Sequence, residues 1–267
     1  MSVLGGVSVL GGGPFAALAG DPANAGLFCD FDGTLAPIVD DPADARPLPG
    51  MVAALGALAE RLAVVAVVSG RPAAFLAEHL APAGPGVRLV GLYGLELVTG
   101  GAVHLATEAE PWLPVVAELA DRATAEAPAG VRVEAKGATL VLHWRGASDR
   151  QQWGESWAAR WSAARGLVAQ PGRMSVELRP PVAADKGTTI EHLAAGCRVV
   201  GFAGDDAGDL AAFDALDRMA VAGAVTAIRV AIADVESPPE LVRRADTVLD
   251  GPAALQAALQ ALVVALR

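Results

Sequence analysis

Short apolar runs that end in small or acidic residues recur along this chain. "GLFCD" (26–30), "LAVVAVVSG" (62–70) and "CRVVGFAGDD" (197–206) share the pattern, and "VRLVGLYG" (87–94) is similar. Their length and β-branched content, between Ala- and Leu-rich stretches, predict strands of a parallel sheet. Helices are expected over roughly 50–61, 72–80 and 186–195. Open α/β sheets bind ligands at the carboxyl ends of their strands, and each polar cluster in these runs falls at such an end.

The middle of the chain changes period. Residues 96–105, "ELVTGGAVHL", place Gly-Gly between apolar pieces and predict a hairpin. A helix over 110–127, strands within 131–145, a second helix over 149–164 and strands over 166–170 and 173–178 follow. A Pro171-Gly172 turn is expected between the last two strands. The order α-β-β-α-β-β describes a small α+β module inserted into the parallel-sheet domain. Trp153, Trp157 and Trp161 recur every fourth residue on its second helix, which predicts a buried face against the module's sheet. After about residue 181 the core pattern resumes, ending in an amphipathic helix over 252–266.

Composition narrows the class. The 267 residues are 53% hydrophobic and 19% charged, as in an ordered globular protein. Mean hydropathy is +0.42, yet no run of about 18 or more strongly apolar residues marks a membrane span. The start, "MSVLGGVSVLGGGPFAALAG", is Gly-rich with no basic residue ahead of its apolar part, and residues 1–14 read as a flexible leader rather than a signal peptide. Cys29 and Cys197 form no CxxC pair and lie in apolar surroundings, so a cytoplasmic location is the default. A net charge of −10 argues against nucleic acid or an anionic membrane as partner. Any phosphate-bearing substrate then needs a local cationic site. Of 20 basic residues only Lys136 and Lys186 are lysine, which suggests positions where a compact ammonium is required.

Four clusters carry candidate chemistry. Asp30 and Asp32 in "DFDGT" put two carboxylates at the tip of a strand, an arrangement that costs free energy to bury. The glycine at the fourth position excludes an EF-hand loop, whose glycine is at about the sixth. Ser69-Gly70-Arg71 follows the next strand; it fits an ordinary helix start with Pro72, or a phosphate-binding helix N-terminus. Lys186 opens a helix against the helix dipole, which a merely solvated lysine has no reason to do. Asp205, Asp206 and Asp209 in "GDDAGD" repel one another unless a cation neutralises them, and Mg²⁺ suits oxygen ligands.

In kind and order, these clusters resemble the haloacid dehalogenase-like (HAD) phosphotransferase superfamily. The resemblance implies an α/β fold: a Rossmann-like parallel-sheet core, residues 1–106 and 182–267, with an inserted α+β cap of the C2 type, residues 107–181. It implies that Asp30 is the nucleophile forming an aspartyl-phosphate, and Asp32 the general acid and then base. Mg²⁺ would be held by Asp30, the backbone carbonyl of Asp32 and Asp205, with Asp206 and Asp209 orienting its ligands. Ser69 and Lys186 would hold phosphate oxygens, with the Gly70 N–H as a further donor.

The inserted module should select the ester. "DGTLAPI", "GLYGLE" (91–96), "VEAKGATLVLHWR" (133–145) and "VELRPPVAADKG" (176–187) resemble, in order, segments of the trehalose-6-phosphate phosphatase family. That likeness assigns Glu134, Lys136 and Glu177 to the glucose unit far from phosphorus, with Arg71 and Arg145 as further sugar contacts. On the strand pattern alone, Glu134 and Lys136 fit an exposed ion pair equally well. Tyr93, Trp144, Gly208 and Leu210 depart from the family's usual His, Tyr, Thr and Glu. The expected partner is a small-molecule sugar phosphate. Other readings are a phosphatase of sucrose phosphate or a glycosyl phosphoglycerate, a phosphomutase, or a silent sugar-phosphate-binding module. Hinges are expected near 106–110 and 179–183; the oligomeric state stays open, with a monomer favoured.

Overall fold

A computed structural model describes residues 13–39, 41–172, 174–233 and 237–267. The chain divides into two compact units, one running to Val103 and resuming over Asp185–Arg267, the other His104–Ala184. Most of the expected leader, residues 1–12, lies outside the described residues. Gly13 and Pro14 form a turn into Phe15, which is fully buried.

The first part of the chain forms α1 (Ala16–Gly20), β1 (Ala25–Cys29), α2 (Met51–Ala59), β2 (Val64–Val68), α3 (Ala73–Leu80), β3 (Val87–Gly91), β4 (Glu96–Thr99) and β5 (Ala102–Leu105). The small unit contributes α4 (Leu113–Glu126), β6 (Arg132–Ala135), β7 (Leu140–His143), α5 (Gln151–Arg165), β8 (Val168–Gly172) and β9 (Ser175–Arg179). The last part forms α6 (Lys186–Leu193), β10 (Val199–Gly204), α7 (Leu210–Val221), β11 (Thr226–Ala233), α8 (Pro239–Arg244), β12 (Thr247–Asp250) and α9 (Gly251–Ala265).

Among the described residues the large sheet runs β12-β11-β10-β1-β2-β3-β4-β5. It is parallel from β12 to β3. Both faces of β1 and β2 are buried at every position. Leu27, Cys29, Val65 and Val67 pack with α2 and α9 on one face, through Leu55, Leu58, Leu255 and Leu259. Phe28, Ala66 and Val68 point to the other face, where Phe202, Phe213, Ile190 and Leu216 close a second core. From β1 the chain winds outward through β2 and β3; from β10 it winds the opposite way through β11 and β12. The crevice at the carboxyl ends of β1 and β10 is therefore the topological switch point, where such sheets bind ligands.

The small unit is a sheet of order β6-β7-β9-β8, antiparallel throughout. Leu140, Leu142, Val176 and Leu178 turn one face toward Val116 and Leu119 of α4 and Trp157 and Ala158 of α5. The tryptophan stripe is shared with α4 as well as the sheet. Trp157 is buried and donates its indole N–H to Glu126 Oε2 at 2.8 Å, and Arg122 lies 4.4 Å over the Trp161 ring. The expected turn does not fall at Pro171-Gly172. Both residues pair within the β8–β9 ladder, opposite Val176 and Ser175. Strand β8 is an edge, where proline's missing N–H leaves no ladder bond unmade. Among the described residues no helix is long and apolar enough to cross a membrane.

Candidate active site

Strand register sets the first carboxylates side by side. Cys29 pairs with Ala203, so Asp30 leaves β1 beside the end of β10, its N–H donating to Ala203 O at 2.9 Å. Lys186, only 3% exposed, brings its Nζ to 2.8 Å from Asp30 Oδ1 and 2.6 Å from Asp209 Oδ1. A capping box between Asp185 and Thr188 holds the start of α6, so this lysine enters from a fixed helix end. The other oxygen of Asp209 accepts the N–H groups of Asp205 at 2.8 Å and Asp206 at 3.0 Å, which ties down the loop after β10.

Two glycines make room for this cluster. A Cβ on Gly33 would lie 2.1 Å from Asp205 Oδ2, and its φ of +72° already disfavours a side chain. A Cβ on Gly204 would lie 2.3 Å from Asp209 Cγ. Thr34 Oγ1 donates to Asp205 Oδ1 at 3.2 Å. Gly33 and Thr34 belong to the "DGT" of the first motif, yet their service to Asp205 is invisible in a linear reading.

The charges do not balance. Burial raises Asp30 well above the usual carboxylate range against the pull of Lys186, and Asp209 moves up for the same reason. Asp205 is pushed up to about 9 by burial and then by Asp30. Burial disfavours charge on Lys186 too, but Asp209 and Asp30 outweigh it and hold the ammonium well above its ordinary value. One cation thus faces a surplus of buried acid. Asp30, Asp205 and Asp209 can each offer an oxygen, all within 4.8 Å of one another, so the donor set fits a divalent metal ion. Asp206 stands outside that trio: its Oδ1 accepts from Gly208 N at 2.8 Å and caps the turn into α7.

Asp32 is held apart from this cluster by a different cation. Arg71 Nε and Nη2 each donate to one of its carboxylate oxygens at 2.7 Å. The guanidinium lies 4.4 Å over the Phe75 ring, which meets Phe31 edge-on at 5.6 Å. Ser69 is 2% exposed, and its Oγ accepts the Arg71 N–H at 3.2 Å, leaving the hydroxyl proton to donate elsewhere. Helix α3 has Pro72 at its N-cap and so no side-chain cap of its own. Glu96 supplies one from β4, accepting the Ala73 N–H at 2.6 Å, and burial raises its pKa. The sequence assigned no role to Glu96.

On the small unit, register gathers the polar candidates. Glu134 stands opposite Val141, Val141 opposite Glu177, and Glu177 opposite Gln170, so all four share a face. His143 Nε2 meets Glu134 Oε2 at 2.7 Å, and that contact, against burial, lowers the Glu134 pKa to about 2. Thr139 Oγ1 donates to Glu177 Oε1 at 2.6 Å, and Lys136 Nζ lies 3.9 Å from the same oxygen. His143 and Thr139 are members of this cluster that sequence reading missed. Arg145 is exposed in the turn after β7, and among the described residues no hydrogen bond or ion pair joins it to the cluster.

A family model described as trehalose-phosphatase matches residues 28–244. A trehalose-phosphate phosphatase of Mycobacterium avium is 40% identical over 215 residues, covering 76% of this chain and 54% of that protein. The chain spans about half the length of the curated relatives it matches. A solved trehalose-6-phosphate phosphatase related protein shares the fold at a TM-score of 0.74 and 23% identity, over 90% of this chain and 97% of that one. A haloacid dehalogenase-like hydrolase from Bacteroides thetaiotaomicron shares it at 0.58 and 14% identity, over 88% of this chain and 98% of that one. The α/β architecture expected from the sequence, a mostly parallel sheet of the haloacid dehalogenase type with a separate small antiparallel sheet, is the architecture found.

Proposed function

The chain belongs to the trehalose-phosphatase family, and from that premise we propose that it hydrolyses trehalose 6-phosphate to trehalose and inorganic phosphate. The observation that carries the reading is the buried Asp30 at the switch point, 2.8 Å from Lys186. A carboxylate oxygen of Asp30 attacks phosphorus, the ester P–O bond breaks, and the sugar alkoxide takes a proton from Asp32, which must carry that proton on an oxygen released from Arg71. Water then attacks the aspartyl-phosphate, gives a proton to Asp32, and releases phosphate with Asp30 restored. Ser69 and Lys186 hold the phosphate oxygens, and the Gly70 N–H adds a donor.

Asp30, Asp205 and the Asp32 carbonyl would hold Mg²⁺, with Asp209 orienting the loop that carries Asp205. When bound, the ion offsets the repulsion between an anionic nucleophile and an anionic ester. Glu134, Lys136 and Glu177 take the sugar, accepting from and donating to its hydroxyls. Arg71 serves Asp32 in this reading rather than the sugar. Both cysteines are free and buried, which supports a cytoplasmic setting.

Phosphate release from a panel of sugar phosphates, with and without Mg²⁺, tests the reading. Trehalose 6-phosphate should be the best substrate and the metal essential. Preference for another ester would move the assignment within the phosphatases, and no turnover on any ester would leave a binding module.

A further inference from the structure

Tyr93 adopts a backbone conformation that tyrosine rarely takes, with φ +60° and ψ 22°, and Leu92 before it has φ +48°. Strain of this kind persists only where the surroundings impose it. Here both peptide groups reach the Ser69–Arg71 loop: Tyr93 N–H donates to Ser69 O and Leu92 N–H to Arg71 O, each at 2.9 Å. On its other side, Tyr93 O accepts from Thr189 Oγ1 at 3.3 Å, three residues after Lys186 on α6. The turn therefore bridges the two segments read as phosphate ligands.

The side chain adds a second constraint. A Cβ built on Gly70 would lie 2.5 Å from both Cζ and Oη of Tyr93, so the phenol end rests directly against the Gly70 backbone. A trans peptide is planar, with its carbonyl and N–H pointing opposite ways. Holding the Ser69 carbonyl thus also sets the direction of the Gly70 N–H.

We propose that Tyr93 is a positioning residue for the phosphate group: its N–H and its ring together lock the Ser69–Gly70 peptide, and with it the donors this loop presents. The proposal rests on reading Ser69, Gly70 and Lys186 as the phosphate site. The side chain acts through the bulk of its phenol end against Gly70.

The test is binding of inorganic phosphate in the presence of Mg²⁺, read by calorimetry, with KM, kcat and Tm measured on the same variants. Tyr93→Asn suits left-handed backbone but removes the ring. It should weaken phosphate binding about tenfold, the loss of one well-placed donor. KM should rise more than kcat falls, and Tm should change little. Tyr93→Phe should rescue the lost affinity. Gly70→Ala should weaken phosphate binding in the wild type and much less beside Tyr93→Asn, where the methyl has room. Wild-type phosphate affinity in Tyr93→Asn, or equal Gly70→Ala losses in both backgrounds, would overturn the proposal. If Tyr93→Asn folds poorly, Gly70→Ala alone decides, since unchanged affinity with a methyl driven into the ring refutes it. Whether the wild type hydrolyses trehalose 6-phosphate is a separate readout, so the functional reading and this one fail independently.

Discussion

Arg71 grips Asp32 through two parallel hydrogen bonds of 2.7 Å, while Asp30, two residues earlier, faces the ammonium of Lys186 instead. Two carboxylates of one motif are thus given different cations and different burial. Asp30 is 5% exposed within an acid-rich cluster, whereas the Asp32 side chain is 32% exposed and forked by a guanidinium backed by Phe75. The proposed division of labour between nucleophile and proton carrier would start from that asymmetry.

Arg71→Lys tests what the fork does. An ammonium cannot make two parallel bonds to a carboxylate, so Asp32 loses its fixed orientation. The expected result is a kcat lower by roughly ten- to a hundredfold with a smaller change in KM, from steady-state kinetics on trehalose 6-phosphate. An unchanged kcat would show that Asp32 needs no such clamp.

Asp30→Asn separates chemistry from stability. The substitution removes the proposed nucleophile, so hydrolysis should vanish. It also removes a carboxylate whose charge burial disfavours more than Lys186 favours, so the metal-free Tm should stay level or rise. Mg²⁺ at about 100 times its Kd should stabilise the wild type by roughly 2.7 kcal/mol, and this gain should shrink in the variant. Thermal melts with and without Mg²⁺ check both parts, and residual turnover near the wild-type rate would remove Asp30 as nucleophile.

How much of this is legible in the sequence depends on burial. Strands β1, β2 and β10 declare themselves because they are buried on both faces and read as apolar runs. Strands β11 and β12 do not: β11 opens on an exposed residue and then alternates half-buried and buried positions, and β12 is an edge with no fully buried residue. The acids and Lys186 are legible as separate motifs at strand ends. Their pairing is not, because Lys186 meets Asp209 across 23 positions and Arg71 meets Asp32 across 39. Tyr93 reads as a family departure, and only its φ and its contact with Gly70 reveal a constraint.

Asp205 predicts proton release. Burial and Asp30 push its pKa up to about 9 in the metal-free protein, so at neutral pH it holds a proton. A metal ligand must be deprotonated, so Mg²⁺ held by Asp205 as proposed would expel that proton, and apparent affinity should climb as pH rises toward about 9. Calorimetry in buffers of different ionisation enthalpy should show the release near pH 7. Identical heats in all buffers would contradict a protonated Asp205.

Glu134 carries the opposite pKa shift, and its consequence falls in the small unit and in acid. Its hydrogen bond with His143 lowers the pKa from an ordinary 4.5 to about 2. A depressed carboxylate contributes stability that is fully present above its unfolded value and lost as pH falls through its folded one. The ionised Glu134 should therefore be worth about 1–2 kcal/mol above pH 4.5, given its partial exposure, and nothing by about pH 2. Urea unfolding of the wild type and Glu134→Gln across that range measures the difference directly. A gap that stays constant as the pH drops would mean that the pair contributes through packing, and that the carboxylate charge is idle.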